Sequence, residues 1–323
     1  MGERPRVLVA EYIDAEGLQA LQAGADVAHR PACADDRRLL LHTLRAETAN
    51  GGLDGLVVRN RVSVDADALA AAGGRLRVVG RLGVGLDNVD LPACRAAGVR
   101  VVFARGANAD AVCEYVFAGL LHLGRHLAEA DRAVRQGRWA RADYIGDELA
   151  GRTMGIVGLG EVGRRLARRA SAFGMSVLAH DPYLPPSAAE EQPVPLVPLA
   201  QLLAEAHVVT LHAPLTPETR HLVDAPALAR MRPDALLVNA ARGGIVDEAA
   251  LCAALRAGRL RGAVLDVRET EPPPRPDPLA GLPSVLLTPH VAGWTREALG
   301  RVGRMVAADV LAVLRGERPA VEA

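Results

Sequence analysis

Short apolar runs alternate with helical patterns along most of the chain. This alternation is typical of α/β folds, in which helices connect the buried strands of a parallel sheet. In the first part of the chain, the pattern predicts strands at Val7–Ala10, Gly55–Val58, Arg77–Gly80 and Val99–Phe103, with helices that include Glu16–Ala23 and Asp65–Ala72.

A second series of the same kind begins at Thr153. It predicts strands at Met154–Val157, Ser176–Ala179, Val208–Leu211, Ala235–Asn239, Ala263–Val267 and Val285–Thr288, with helices that include Val162–Ala172 and Glu248–Ala257. Two proline-rich stretches, Pro182–Pro198 and Pro272–Pro283, are predicted to be loops. A final helix is predicted from about Thr295 to Arg315, where Gly316 ends it.

Between the two series, apolar residues dominate the stretch from Asp110 to Gln136. A surface helix normally has a polar face, whereas a helix that is apolar on all sides is buried. We therefore predict one long helix here, buried against a second surface that a partner subunit would provide.

Length and charge limit the possible functions. The chain has 323 residues, which is long for a single hydrophobic core, so two domains are expected. Its 38 basic and 38 acidic residues balance, which gives no indication of a nucleic-acid or membrane-surface partner. All the basic residues are arginine, which excludes chemistry that needs a lysine amine, such as Schiff-base formation. No apolar run approaches the roughly 20 residues that cross a bilayer.

The cysteines and histidines give no indication of a metal site. The four cysteines are far apart and include no CxxC pair, which is typical of reduced thiols, and no signal peptide is expected before the first strand. His122 and His126 have the spacing of a metal pair but lack the glutamate of an HExxH motif. We expect a soluble, cytoplasmic protein without a bound metal.

A glycine-rich turn connects the first strand of the second series to its helix. Residues Gly158-Leu-Gly-Glu-Val-Gly163 form a GxGxxG pattern directly after the predicted strand Met154–Val157. In this context the glycines permit a tight turn and let backbone N–H groups at the helix N-terminus approach a pyrophosphate. The pattern predicts a dinucleotide site at Gly158, Gly160 and Gly163.

The next strand ends in His180-Asp181-Pro182, and Asp181 lies 18 residues after Gly163. An acidic side chain at this place accepts hydrogen bonds from the adenosine ribose hydroxyls, and its charge repels a 2′-phosphate. We therefore predict NAD as the cofactor, in preference to NADP.

Polar side chains follow three successive strands of the second series. Arg242 lies just after one strand, Glu271 lies in the loop after the next, and His290 leaves the last. Ligands of open α/β sheets bind outside the carboxyl ends of the strands, so these side chains are expected to converge at one edge.

The chemistry of these side chains fits the interconversion of a 2-hydroxy acid and its 2-oxo acid. The guanidinium of Arg242 can grip a carboxylate in bidentate fashion while polarising the neighbouring carbonyl. An imidazolium at His290 can donate the proton that an alkoxide needs, and a carboxylate at Glu271 can orient the ring and favour its charged form. The sequence predicts Arg242, Glu271 and His290 as a catalytic trio.

Five motifs, in a fixed order, give a specific resemblance to a known family. Gly80-Arg-Leu-Gly-Val-Gly-Leu-Asp-Asn-Val-Asp90 and Gly106-Ala-Asn-Ala-Asp110 precede the three strand-end segments. From about Leu53 to its end, the chain resembles the D-isomer-specific 2-hydroxyacid dehydrogenases, the group that contains phosphoglycerate dehydrogenase. Unlike the longer members of that group, the chain is expected to lack a regulatory domain beyond Ala323.

The resemblance implies two Rossmann-like, doubly wound parallel-sheet domains with a cleft between them. Residues 1–100 and 290–323 would form a discontinuous substrate-binding domain, and residues 101–289 would form an NAD-binding domain. It also implies a homodimer with the Asp110–Gln136 helix at the interface.

The resemblance also implies further site residues. It assigns the nicotinamide side to Ala240 and Asp266, and it adds Ala241, Arg242 and His290 to the residues that contact the cofactor. It assigns the pyrophosphate to the amides of Glu161 and Val162, next to the adenosine side at Asp181 and Pro182. The substrate carboxylate is assigned to the backbone at Val84–Gly85.

Two arginines, Arg59 and Arg61, follow the predicted strand Gly55–Val58 and are expected to face the cleft. Arginines in such a place favour a second anionic group on the substrate: phosphate, sulfonate or another carboxylate. In the family that this chain resembles, the position of Arg59 often meets the distal group. We predict a phosphoglycerate-like or sulfolactate-like acid.

Three alternatives are considered. A formate dehydrogenase is disfavoured, because its histidine pairs with glutamine whereas this chain has Glu271. A hydroxypyruvate or glyoxylate reductase stays open. So does a non-catalytic NAD(H)-sensing protein like the C-terminal-binding-protein corepressors, which can keep the same trio.

Overall fold

The computed structural model describes residues 4–184 and 194–323, which divide into two compact units. Unit 1 comprises the residues up to Asn108 together with Trp294–Ala323, and unit 2 comprises Ala109–Gly293. The sequence-based divisions at 100/101 and 289/290 differ from these. Residues 101–108 stay with the last strand of unit 1, and His290 stays with the loops of unit 2.

Five parallel strands form the sheet of unit 1, in the order β2-β1-β3-β4-β5. They are β1 (Arg6–Val9), β2 (Asp26–His29), β3 (Gly55–Val58), β4 (Val78–Arg81) and β5 (Arg100–Phe103). The four strands predicted for this part are confirmed to within one residue at each end. Strand β2 is not predicted from the sequence, because this edge strand has no buried residue and therefore no apolar run.

The helices of unit 1 are α1 (Ala15–Gly24), α2 (Arg37–Ala49), α3 (Ala66–Ala72), α4 (Leu91–Ala96) and the C-terminal α11 (Arg296–Leu314). Each of these helices begins after a residue whose side chain accepts hydrogen bonds from amides of the first turn. These caps are Asp14, Asp36, Asp65, Asp90 and Thr295. Helix α11 packs on α1, and a Cβ on Gly17 would lie 2.6 Å from the Gly303 Cα, so these glycines allow a close approach.

Six parallel strands form the sheet of unit 2, in the order β11-β10-β9-β8-β6-β7. They are β6 (Thr153–Val157), β7 (Ser176–His180), β8 (Val208–Leu211), β9 (Leu236–Asn239), β10 (Gly262–Leu265) and β11 (Val285–Leu287). All six predicted strands are confirmed to within two residues. The helices on this sheet include α7 (Glu161–Ala172), α8 (Leu199–Glu205), α9 (Ala225–Arg230) and α10 (Glu248–Arg256). Residues 185–193 of the predicted loop Pro182–Pro198 lie outside the described part of the chain.

The prediction of one long helix from Asp110 to Gln136 is wrong. The structure has two helices here, α5 (Ala109–Gly124) and α6 (Leu127–Arg135). His126, between them, has a left-handed φ of 52°, which no continuous α-helix contains. Helix α5 packs on the sheet of its own unit, where a Cβ on Gly119 would lie 2.7 Å from the side chain of Val264. This packing accounts for much of the apolar character of α5.

Each sheet has one point where the strand order reverses. In unit 1 the chain goes from β1 to β2 and then to β3 on the other side of β1. In unit 2 it goes from β6 to β7 and then to β8 on the other side of β6. Open α/β sheets bind ligands beyond the carboxyl ends of the strands at such points. We therefore expect binding residues in the segments after β1, β3, β6 and β8.

Within residues 4–184 and 194–323, no helix is both long enough and apolar enough to cross a bilayer. In the same residues, no three His, Cys, Asp or Glu side chains come together in a way that could hold a metal ion.

Candidate active site

The turn between β6 and α7 has the geometry of a dinucleotide-binding loop. Gly158 has a φ of 93°, and a Cβ on it would lie 2.7 Å from the carbonyl carbon of His212. A Cβ on Gly163 would lie 2.2 Å from the Gly158 carbonyl oxygen, so only glycine lets α7 approach this closely. Gly160 caps the helix and would meet no atom within 4 Å. The residues therefore fit a pyrophosphate in the open space before the amides of Glu161 and Val162.

Asp181 follows β7 and faces this turn. Its Oδ2 accepts a hydrogen bond from the Leu159 amide at 2.9 Å, and its Oδ1 accepts one from the Tyr183 amide at 3.1 Å. A carboxylate offers about four acceptor positions, so capacity for ribose hydroxyls is left. The next residue, Pro182, is exposed.

An asparagine that the sequence analysis did not single out shapes the loop of Arg242. Asn239, the last residue of β9, is 1% exposed. Its Oδ1 accepts from the Ala241 amide at 3.1 Å, and its Nδ2 donates to the Arg242 carbonyl at 2.9 Å. These bonds fold Ala240 and Ala241 into a tight turn, and the guanidinium of Arg242 donates to the Ala241 carbonyl at 2.6 Å.

Asp266, directly after β10, holds the loop of His290. Its buried carboxylate accepts hydrogen bonds from the Thr288 hydroxyl and from the amides of Val291 and Ala292, at 2.6 to 2.8 Å. The His290 amide donates to the Asp266 carbonyl at 2.7 Å. The resemblance implies that Asp266 lies on the nicotinamide side; in the structure its carboxylate is hydrogen-bonded to the His290 loop.

His290 and Glu271 form a hydrogen-bonded pair. His290 has a φ of 57°, and its Nδ1 lies 2.9 Å from Glu271 Oε2. The other oxygen, Oε1, accepts from the Arg268 amide at 3.0 Å. Burial raises the pKa of Glu271, but the hydrogen bonds from His290 and the Arg268 amide, together with the charge of Arg242, outweigh burial and lower the pKa. An ionised Glu271 can only accept, so Nδ1 carries a proton and Nε2 is the atom that can exchange one.

The loop of Arg242 lies against the loop of Glu271. A Cβ on Gly243 would lie 1.9 Å from the carbonyl carbon and oxygen of Arg268, so glycine is required for the two backbones to meet. The structure therefore brings Arg242, Glu271 and His290 together at the carboxyl edge of β9, β10 and β11.

Unit 1 contributes a separate feature, a buried arginine after β3. Arg59 is 8% exposed, and its guanidinium carbon lies 5.7 Å from the ring centre of Tyr12 and 5.2 Å from that of Trp294. The two rings are stacked on each other at 5.9 Å. Arg59 Nε donates to the Tyr12 carbonyl at 3.2 Å, whereas the buried Nη2 has no hydrogen-bond partner among the described residues.

The backbone of this loop is bonded to one buried carboxylate. Glu11, which follows β1 and is 2% exposed, accepts hydrogen bonds from the amides of Arg59, Arg61 and Val62 at 2.7 to 3.2 Å. The side chain of Arg61 is 59% exposed and forms an ion pair with Asp35. The structure thus distinguishes two arginines that looked alike in the sequence.

The remaining predicted contact, Val84–Gly85, lies in the loop after β4, where Val84 is exposed. Glu11, Tyr12 and Trp294 are not among the site residues predicted from the sequence. Glu11 and Tyr12 lie at the end of a buried strand at a reversal of strand order, which is the signal that could have found them.

Comparisons with known proteins agree with this geometry. The model for the family "D-isomer specific 2-hydroxyacid dehydrogenase, NAD binding domain" matches residues 117–292. An (S)-sulfolactate dehydrogenase of Chromohalobacter salexigens is 44% identical over 297 residues, which are 92% of this chain and 94% of that protein. A D-3-phosphoglycerate dehydrogenase of Mycobacterium leprae is 44% identical over 313 residues, which are 97% of this chain but 57% of that protein.

Solved structures show the same fold. The TT0316 protein from Thermus thermophilus superposes with a TM-score of 0.89 at 36% identity, over 98% of this chain and 99% of that one. The family match covers more than half of the chain, and the sulfolactate dehydrogenase aligns over nearly the full length of both proteins. The chain therefore belongs to the D-isomer-specific 2-hydroxyacid dehydrogenases and is an NAD-dependent oxidoreductase.

Proposed function

We propose that this enzyme interconverts a D-2-hydroxy acid and its 2-oxo acid, and that the substrate carries a second anionic group, as phosphoglycerate and sulfolactate do. Arg59 is the observation that carries the choice of substrate. A buried cation with a buried donor that no described residue satisfies is costly, and an anionic ligand would offset that cost.

In this proposal Arg242 binds the carboxylate next to the reacting carbon, with help from the backbone at Val84–Gly85. His290 Nε2 donates a proton to the substrate oxygen in reduction and accepts it in oxidation. Glu271 holds the ring by Nδ1 and stabilises its charged form. Bound NAD would supply or accept the hydride. Arg242 and His290 would both lie on its nicotinamide side, with Ala240 and Ala241.

We further propose that unit 2 binds NAD and that unit 1 binds the distal group of the substrate. The glycine turn at Gly158–Gly163 supports the first assignment, and Asp181 favours NAD over NADP because a carboxylate there repels a 2′-phosphate. Arg59 supports the second. The exposed Arg61 contributes little in this proposal, because Asp35 already neutralises it.

The names of the relatives agree with a doubly charged substrate. The sulfolactate dehydrogenase and the phosphoglycerate dehydrogenases are named for acids that carry a sulfonate or a phosphate besides the carboxylate. The chain spans little more than half of the Mycobacterium phosphoglycerate dehydrogenases, so the match to sulfolactate dehydrogenase, which covers both proteins, carries more weight here.

The test is NADH oxidation by the purified protein with 3-sulfopyruvate, 3-phosphohydroxypyruvate, hydroxypyruvate and glyoxylate. We expect the highest kcat/KM for an acid with the second charge. Preference for hydroxypyruvate or glyoxylate would support the reductase alternative. Tight NADH binding without turnover of any 2-oxo acid would support the non-catalytic, corepressor-like alternative.

We also propose that the protein is a cytoplasmic homodimer. Of the five large apolar side chains in the described residues that are at least half exposed, four lie within residues 127–145 of unit 2: Leu127, Val134, Trp139 and Ile145. Exposed apolar residues of this size are typical of a protein interface. The free, buried cysteines suit a reducing compartment. Sedimentation of the wild type and of Trp139→Glu would test the dimer, with dissociation expected for the variant.

A further inference from the structure

A buried arginine between two carboxylates lies next to the catalytic carboxylate. Arg268 is 8% exposed. Its Nε and Nη2 donate to the two carboxylate oxygens of Glu248 at 3.1 and 3.0 Å. Its Nη1 and Nη2 donate to the two oxygens of Asp277 at 2.6 and 3.0 Å. The guanidinium therefore makes two bidentate ion pairs, which is the strongest geometry such a group can adopt.

The three charged groups come from three different segments. Glu248 is the first residue of α10, Arg268 follows β10, and Asp277 lies in the loop before β11. Glu248 also accepts a hydrogen bond from the Glu269 amide, and Asp277 accepts one from the Leu279 amide. The ion pairs thus join the start of α10 to two places in the loop that carries Glu271, one before and one after that residue.

The backbone of Arg268 contacts Glu271 and the loop that carries Arg242. Its amide donates to Glu271 Oε1, which leaves Oε2 for His290. Gly243, which is next to Arg242, packs against the carbonyl group of Arg268. A shift of this one peptide would therefore move the Glu271 carboxylate and the Arg242 loop together.

We propose that Arg268, held by Glu248 and Asp277, is a positioning residue that sets the Glu271–His290 hydrogen bond and the place of Arg242. This inference rests on the proposed function, because it assigns a source for the geometry of the same site. The alternative is that the triad only stabilises the fold. Buried ion pairs gain little net stability compared with apolar side chains of the same size, so stability alone is a weak reason for three buried charges.

The pKa directions agree with a tightly paired triad. Hydrogen bonding to Asp277, followed by that to Glu248, raises the pKa of Arg268 against the effect of burial. The hydrogen bond from Arg268 lowers the pKa of Asp277. Both shifts favour the charged forms of Arg268 and Asp277, as expected for a tight ion pair.

Other titratable and charged groups contact Glu271, lie on the segments that carry the Glu271–His290 pair, or form hydrogen bonds to those segments. They are Arg242, Arg268, Asp266, Glu269, His221 and Tyr115. Of these six groups His221, whose Nε2 lies 2.6 Å from Glu269 Oε1, is the one that is also a histidine. A histidine titration must therefore resolve His290 from His221.

The experiment compares Arg268→Met and Glu248→Gln with a control, Arg152→Met, in the full-length protein. Arg152 also forms a partly buried ion pair, with Asp147 at 2.7 Å, but it precedes β6 and so lies at the opposite end of the sheet from Glu271. Three quantities are measured: kcat and KM with the best 2-oxo acid, the NADH dissociation constant, and the NMR titration of the His290 ring. His290→Asn and His221→Asn assign the two signals.

We expect Arg268→Met and Glu248→Gln to lower kcat by about 10- to 100-fold, which is the effect of misplacing reacting groups by up to 1 Å. NADH binding should stay within about twofold, since the glycine turn is untouched. The His290 titration should move to lower pH, because a displaced Glu271 no longer favours the imidazolium. Arg268→Lys should have a higher kcat than Arg268→Met, since the lysine ammonium keeps the charge but cannot form the bidentate hydrogen bonds of the guanidinium.

If both triad variants resemble Arg152→Met, with unchanged kcat and an unchanged His290 titration, the triad is only structural and the inference is wrong. If Arg268→Met fails to fold, Glu248→Gln decides, because it keeps the Arg268–Asp277 pair. The NMR titration needs no turnover, so a wild type that reduces no 2-oxo acid would refute the proposed function and still leave this inference tested.

Discussion

Replacing Arg59 with methionine should remove recognition of the distal group and leave the chemistry intact. Methionine has a similar length and can occupy the place of the arginine against the Tyr12 and Trp294 rings, so the change removes the charge without opening a large cavity. The ring stack and the Glu11 bonds to the backbone amides stay in place. The variant therefore isolates the contribution of the guanidinium.

The size of the expected loss in kcat/KM follows from the burial and the fixed position of the Arg59 side chain. A hydrogen bond to a charged group contributes about 1.5–3 kcal/mol, which is about a 10- to 150-fold change in kcat/KM. We expect the upper part of that range, because the side chain is 8% exposed and already fixed by Tyr12 and Trp294. Solvent screens such a group weakly, and it loses little entropy when the substrate binds.

The assay is steady-state NADH oxidation with 3-sulfopyruvate and with hydroxypyruvate, which lacks the second charge. Arg59→Met should lower kcat/KM only for 3-sulfopyruvate, and hydroxypyruvate should change by less than about threefold. Arg61→Met is the matched control and should affect neither acid, because Arg61 is exposed and paired with Asp35. An equal loss for both acids, or no loss for either, would refute this role of Arg59.

Three further outcomes are expected. Asp181→Ala should lower the preference for NADH over NADPH by about tenfold or more, and equal use of both cofactors by the wild type would contradict the role of Asp181. Glu271→Gln should move the acidic limb of the pH profile for hydroxy-acid oxidation to lower pH, because His290 must be neutral to accept a proton and Glu271 favours its charged form; an unaltered profile would show that Glu271 is not its partner. A thiol reagent should label none of the cysteines of the native protein, because all four are buried and burial raises the pKa of Cys113 to about 11; rapid labelling at neutral pH would contradict that burial.

The sequence predicted the parts of the fold that depend on local patterns. The buried strands of both sheets are continuous apolar runs, and the turn at Gly158–Gly163 is marked by its glycine spacing between a predicted strand and a predicted helix. Arg242 and His290 each follow a predicted strand. Because the carboxyl ends of parallel strands lie at the same edge of a sheet, both residues could be placed at that edge from the sequence. These features need no knowledge of long-range contacts.

Other features depend on contacts that the sequence does not reveal. Strand β2 has no apolar run, because it is a partly exposed edge strand. The break at His126 depends on a single left-handed residue within an apolar stretch. Glu11 bonds to amides about 48 residues later in the chain, so no local pattern marks it.

The network behind the catalytic carboxylate was equally hidden. Arg268 looks like one of many arginines in a chain whose basic residues are all arginine. Its pairing with Glu248 and Asp277 appears only once three segments meet. Asp266 follows a strand as the site residues do, yet its carboxylate is used to hold the His290 loop.

The central claim is that His290 transfers the proton in a 2-hydroxyacid dehydrogenase reaction, and single-turnover kinetics of His290→Ala test it most directly. Preformed enzyme–NADH complex is mixed with saturating 2-oxo acid, and the loss of NADH absorbance is followed. We predict a rate about 10²- to 10⁴-fold below that of the wild type, the usual contribution of a positioned proton donor, with an unchanged NADH dissociation constant. A variant that reacts as fast as the wild type would contradict the account.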